Sequence, residues 1–192
     1  MIKIVAICGA RGSGKDTVAS ALFELNANNN IMVRKLSFGD PIKEITMPIF
    51  GLKTYGDYEA FKRGIITLHN KKEVYGKDII RNLGLQLRGV NPSRFIEDVE
   101  YKIDRIKNDN PNENILIIIS DLRFKEELKW CQKNGAKIIK VKRAVTQFDA
   151  YNYDLSQDID DFFADYIVYN NDSETDLKKD MVNINKNILG IG

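Results

Sequence analysis

This sequence predicts an α/β fold with a mainly parallel, five-stranded sheet flanked by helices, and three observations lead there. Apolar runs of strand length alternate with stretches of helical spacing along 192 residues. One of those runs, Ile115-Leu116-Ile117-Ile118-Ile119, is apolar without alternation, as a strand covered on both faces must be. The opening run, Ile2 to Cys8, passes directly into a glycine-rich turn and then into helix formers, the strand–loop–helix unit of parallel sheets.

Each element has its own signal. After the first strand, Val18-Ala19-Ser20-Ala21-Leu22-Phe23-Glu24-Leu25 reads as helix, Asn26 to Asn30 as a polar turn, and Ile31 to Phe38 as a second strand. Gly39-Asp40-Pro41 predicts a helix start with Asp40 as N-cap and Pro41 in the first helical position, running towards Phe50. Periodicity weakens from Gly51 to Tyr75, which reads as a surface excursion. Lys77 to Arg88 regains it through Ile79, Ile80, Leu83 and Leu87, and Asn91-Pro92 restarts a helix striped by Phe95, Val99, Ile103 and Ile106. Beyond the third strand, Ile115 to Ile119, Phe124 to Asn134 is helical with Gly135 as its terminator, and Ala136 to Val141 is a fourth strand. A polar stretch from Arg143 to Ser156, a short helix from Asp158 to Ala164 and a fifth strand, Tyr166 to Tyr169, follow. Ser173 and Asp176 resemble a capping box opening a last helix with Leu177, Met181, Ile184 and Ile188 on one side.

The glycine-rich turn carries the chemistry. Gly9-Ala10-Arg11-Gly12-Ser13-Gly14-Lys15-Asp16-Thr17 has the spacing of a P-loop, with Asp16 where Ser or Thr is usual. Glycines let successive backbone N–H groups converge on a polyphosphate. The helix that follows turns its partial positive end to the same place, and Lys15 adds a full charge. Residues Ala10 to Thr17 are therefore expected to bind a nucleoside triphosphate.

Composition narrows the rest. Basic and acidic residues nearly balance, 29 against 27, so no global field recruits nucleic acid or membrane. Cys8 and Cys131 belong to no C-x-x-C pair, which argues against a disulfide framework or a zinc site. The chain opens on a fold element without the pattern of a signal peptide, and no apolar run nears the length of a membrane span, so a soluble cytoplasmic protein is expected.

A loop of this kind needs a magnesium partner, commonly a carboxylate at the end of a buried strand. Asp121, two residues past Ile119, meets that description, and this role is preferred to the alternative of a cap on the following helix. Asp16 could meet the ion directly or through water, or simply complement the helix N-terminus, leaving Thr17 to the α-phosphate. Moving a phosphoryl group onto an anionic acceptor requires positive charge, which guanidinium groups supply well. Arg11, Arg81, Arg88, Arg123 and Arg143 stand at strand ends or in insertions, and Arg81 and Arg88 are seven apart on one helix, hence on one face. A nucleoside monophosphate, with a second phosphate pKa of about 6, is already nucleophilic at neutral pH. No general base is then required, and the single histidine, His69, is left outside the chemistry.

Taken together, these motifs resemble the deoxynucleoside monophosphate kinases encoded by bacteriophages. The loop ending Gly14-Lys15-Asp16-Thr17 is characteristic of them, and Ser37-Phe38-Gly39-Asp40-Pro41-Ile42-Lys43-Glu44 looks like their S-F-A-D-x-L-K-E segment. Ile119-Ser120-Asp121-Leu122-Arg123-Phe124 looks like their I-x-D-V-R-F motif, and Asp165, Ile167 and Asn170 fit the end of a segment closing in D-x-x-I-x-N. The sequence differs at Ile79-Ile80-Arg81 and Gly84-Leu85-Gln86, where the family has L-L-Q and G-T-E, and at Ser156-Gln157, where it has S-E.

The resemblance implies an adenylate-kinase-like P-loop NTPase fold over residues 1–192, with an acceptor-binding insertion at about 40–108 and a lid-like segment at about 143–156. It implies ATP with Mg2+ as donor and deoxynucleoside monophosphates as acceptors. Carried over, Arg11 to Thr17 would hold ATP and Asp121 and Arg123 would face the transferred group; the residue reading adds Lys15 and Arg143 there, with Asp16 and Asp121 at the metal. Asp40 and Lys43 would lie near the acceptor; Arg81 and Arg88 join them on the charge argument alone, since they stand where the sequence departs from the family. Small-molecule nucleotides are the expected partners, and a homodimer is left open. Two other readings stand beside this one: a P-loop kinase for another small phosphorylated acceptor, since Gly-Lys-Asp loops also resemble those of animal phosphomevalonate kinases, or a nucleotide-dependent binding module with slow ATPase activity.

Overall fold

Five parallel strands form the main sheet in the order β2-β5-β1-β6-β7, built from β1 (Ile2–Cys8), β2 (Met32–Leu36), β5 (Ile115–Ile119), β6 (Lys137–Lys142) and β7 (Tyr166–Tyr169). The structure, a computed structural model, describes residues 1–27, 31–143, 163–171 and 174–190. Apart from Arg143, the expected lid at about 143–156 lies outside them, as do Ser156, Ser173 and all but the end of the helix expected from Asp158 to Ala164. Among the described residues no helix is long and apolar enough to cross a membrane.

The chain divides into two compact units, residues 1–37 with 100–192, and residues 38–99. In the first, β1 and β5 pair Ile2 with Ile115 through Ala6 with Ile119, and every residue of β5 is buried. This explains the unbroken apolar run: a central parallel strand has no solvent face for polar residues. Val5, Ile7, Leu116, Ile118, Ile139 and Val141 form one face of the sheet's core with Val18 and Leu22 of α1 (Lys15–Ala27) and Met181 and Ile188 of α7 (Glu174–Leu189). Within this core Asn26 and Asn185 exchange side-chain hydrogen bonds of 2.8 and 3.2 Å, so both buried amides are satisfied.

Gly135, with φ +66°, follows α6 (Lys125–Lys133) as expected. Both cysteines are free and buried, and burial chiefly pushes the Cys131 thiol above its ordinary range.

The second unit contains α2 (Asp40–Ile49), α3 (Tyr55–Arg63), a hairpin of β3 (Ile65–Thr67) and β4 (Glu73–Tyr75), and α4 (Gly76–Val90). The boundary between units falls within α5 (Arg94–Asp109). Two expectations are corrected here. The stretch from Gly51 to Tyr75 is not an irregular excursion. Thr54 and Asp57 make a reciprocal capping box that starts α3, Tyr58 and Phe61 bury its inner face, and the hairpin follows. The helix after β2 is capped by Gly39 instead of Asp40, which is its first helical residue and pairs at 2.9 Å with Lys43 one turn on. An acidic residue in the first turn still complements the helix N-terminus, so the sequence signal was sound and only its register was off by one. His69 is exposed in the turn joining β3 to β4.

Burial, with Glu59 adding to it, pushes the Tyr58 hydroxyl up to about 12 from its ordinary value of 10.0. Because the folded value is the raised one, the associated stability is complete below pH 10 and is lost as pH rises towards 12. Urea midpoints measured from pH 9 to pH 12 should fall in that window, and Tyr58→Phe should flatten the fall.

Candidate functional site

In a parallel sheet all carboxyl ends lie on one edge, and that edge collects the candidate residues of the first unit. β1 leads into Gly9–Thr17, β5 into Ser120–Arg123, β6 ends beside Arg143, and β2 ends beside Ser37. Because β1 lies between β5 and β6, the glycine-rich loop is flanked by the ends of both neighbours.

The loop is shaped by three glycines with positive φ: Gly9 at +144°, Gly12 at +77° and Gly14 at +100°. They are glycines for different reasons. A Cβ at Gly9 would overlap the Val141 carbonyl oxygen, and one at Gly14 would overlap the Asn170 side-chain amide. Those two sites are closed by the protein's own β6 and β7 ends. Gly12 is exposed and a Cβ there would meet nothing within 4 Å, so only its backbone conformation demands glycine.

Lys15 folds back over the loop, its Nζ donating to the carbonyl oxygens of Gly9 at 2.6 Å and Ala10 at 2.9 Å. An ammonium bonded to carbonyls of its own loop can exchange them for phosphate oxygens with little loss of hydrogen bonding. Ser13 N–H donates to the Ala10 carbonyl at 3.1 Å, while the fully buried Ser13 hydroxyl has no partner among the described residues. Arg11, Asp16 and Thr17 are exposed.

Asp121 is not the cap of α6. Phe124 occupies that position, and Asp121 Oδ2 instead accepts from the Ser37 hydroxyl at 2.6 Å, tying the β5 end to the β2 end. The backbone here is held by Glu127, a fully buried carboxylate whose Oε2 accepts from the N–H groups of Arg123 at 2.9 Å and Phe124 at 3.1 Å. Leu122 N–H donates to the Ile7 carbonyl at 3.2 Å, joining this turn to β1. The Arg123 residue is exposed while its own N–H is pinned. Glu127→Ala should leave those two amides unsatisfied and lower unfolding free energy by about 2 kcal/mol in a urea titration.

Ser37, Glu127 and Asn170 were not among the candidates. Glu127 stands three residues after Phe124, the spacing of a capping-box acid, but the apolar cap residue hides the pattern. Asn170 stood in the sequence only as a motif match. In the structure its Nδ2 donates to the Ser13 carbonyl at 2.9 Å and its N–H to the Lys142 carbonyl at 2.8 Å. Arg143 is exposed just past β6.

The remaining candidates belong to the second unit. Lys43 lies 5.7 Å from the Tyr55 ring centroid as well as against Asp40. Arg81 is exposed on α4, whereas the Arg88 guanidinium stacks 4.0 Å from the Phe95 ring centroid.

The donor set is one of oxygens: Asp16 and Asp121 carboxylates and the Thr17 hydroxyl suit a hard cation such as Mg2+. Among the described residues no group of three or more His, Cys, Asp or Glu could form an all-protein cage. An ion that arrives with phosphate oxygens and keeps its waters needs only one or two carboxylates.

No family model matches the chain. A protein of Acanthamoeba polyphaga mimivirus, named for an inferred deoxynucleotide monophosphate kinase activity, is 26% identical over 149 residues, which cover 73% of this chain and 74% of that one. Among solved structures, the dephospho-CoA kinase of Campylobacter jejuni aligns with a TM-score of 0.52 over 97% of each chain, at 16% identity. The chain has the fold of that kinase, a mainly parallel five-stranded sheet flanked by helices.

Proposed function

We propose that the chain is an ATP-dependent kinase whose acceptors are deoxynucleoside monophosphates. The observation that carries this reading is the company the loop keeps: one sheet edge bears Gly9–Thr17 with Lys15, the carboxylate of Asp121, and the arginines Arg123 and Arg143. The mimivirus relative supports the acceptor class. The fold supports phosphoryl transfer in general and no acceptor in particular.

In this reading the N–H groups of Ala10 to Thr17 and the start of α1 bind the triphosphate. Lys15 leaves the Gly9 and Ala10 carbonyls for the outer phosphates. Asp121, steadied by Ser37, would hold Mg2+ with Asp16 or Thr17. When bound, that ion supplies charge neutralisation at the phosphates. An acceptor phosphate oxygen forms a bond to the γ-phosphorus while the bond from that phosphorus to the β–γ bridging oxygen breaks, giving ADP and a diphosphate. Arg123 and Arg143 offset the charge on the group in flight. Residues of the second unit, Asp40, Lys43, Arg81 and Arg88, are assigned to the acceptor, and the insertion at about 40–108 is the acceptor-binding element.

A coupled assay with ATP, Mg2+ and each of dAMP, dCMP, dGMP and dTMP tests the proposal. Turnover with at least one acceptor is expected, on the order of 1–100 per second as is usual for kinases. ADP formation that is indifferent to all four would leave only an ATPase.

A further inference from the structure

The phosphate loop is held in part by a residue from the last strand in the sheet order. Asn170, the residue after β7, donates from its two nitrogens to different partners: its backbone N–H to the Lys142 carbonyl at the end of β6, its side-chain Nδ2 to the carbonyl of Ser13 inside the loop. The same amide occupies the space that a Cβ on Gly14 would need. Gly9 meets the Val141 carbonyl in the same manner.

β7 itself is fixed at its start. Asp165 accepts from Ile138 N–H at 2.8 Å and from Lys137 Nζ at 2.9 Å, and its own N–H donates to the Ile138 carbonyl. Asp165 and Asn170 thus bracket β7, and the second of them reaches 157 residues back along the chain to the loop. A loop with three positive-φ glycines has high conformational freedom when unrestrained, and a carbonyl bonded to a fixed amide removes part of it.

We propose that Asn170 is a positioning residue for the phosphate loop: it points the Ser13 peptide so that the Ser13 carbonyl faces the sheet and the following N–H groups face outward to a polyphosphate. Orienting a peptide plane through its oxygen orients the N–H on its other edge, because the plane is rigid. This rests on the nucleotide reading above for its ligand, but not for the restraint itself, which exists in the free chain.

The test uses the full chain with Asn170→Ala and with Asn170→Asp, which keeps the shape and loses the donor. Amide hydrogen exchange in the ligand-free proteins reads the restraint, and titration with inorganic tripolyphosphate and with adenosine reads its consequence. Exchange at Ser13 to Val18 should speed up about fivefold in both variants, the worth of one net hydrogen bond, while the β5 amides keep wild-type rates. Tripolyphosphate affinity should fall by a similar factor of about five, with adenosine binding unchanged. Loop exchange at wild-type rates in both variants overturns the proposal, as does acceleration spread equally over the loop and β5, which would mean general destabilisation. A wild-type chain that binds neither tripolyphosphate nor ATP would sink the nucleotide reading, and the exchange arm alone would then decide the restraint.

Discussion

Lys15→Ala should lower turnover by at least about two orders of magnitude, the usual worth of one preorganised donor to the charge that develops in a transition state. In the free chain the Lys15 ammonium satisfies two loop carbonyls, Gly9 at 2.6 Å and Ala10 at 2.9 Å. Gly9 is buried and Ala10 half-buried beneath a Lys15 side chain that is itself partly exposed, so water entering the space the side chain leaves can replace the ammonium and the thermal midpoint should move little. The two readouts therefore separate. A large fall in kcat with a near-wild-type melting curve is the expected pair. Near-normal turnover would refute the phosphate role, and a collapse of the melting curve would mean that Lys15 mainly staples its own loop.

Arg123→Ala should reduce kcat by about a hundredfold while changing ATP affinity less than about threefold, because its charge is assigned to the group being transferred and not to the bound triphosphate. Its backbone is held independently of its side chain, by Glu127 on its N–H. The substitution should thus leave the turn, and Asp121 two residues earlier, in place. Arg123→Lys should recover little, since an ammonium lacks the planar pair of donors. Equal losses in kcat and in ATP affinity would instead make Arg123 an anchor for ATP.

Much of this architecture was legible because the relevant signals are local. The five apolar residues of β5, the spacing of Gly9, Gly14 and Lys15, and the stripe of Leu177, Met181, Ile184 and Ile188 each name their element without reference to the rest of the chain. What escaped is held by contacts across the sequence or by patterns too short to show a period. α3 spans only nine residues and its start depends on the Thr54–Asp57 exchange; the two strands of the hairpin have three residues each. Ser37 bonds a residue 84 positions away and Asn170 one 157 away, and no local pattern announces either contact. The glycines of the loop show the limit most clearly. Close approach to phosphate suffices to explain them from sequence, yet Gly9 and Gly14 are also required by Val141 and Asn170, which only the folded sheet brings there.

The central claim is that the γ-phosphoryl group of ATP held at Gly9–Thr17 moves to a nucleoside monophosphate. ATP radiolabelled at the γ-phosphate, incubated with the protein, Mg2+ and a mixture of the four deoxynucleoside monophosphates, follows that group directly. Label recovered in a deoxynucleoside diphosphate is the predicted result. Label recovered solely as inorganic phosphate, or retained in ATP, would contradict it.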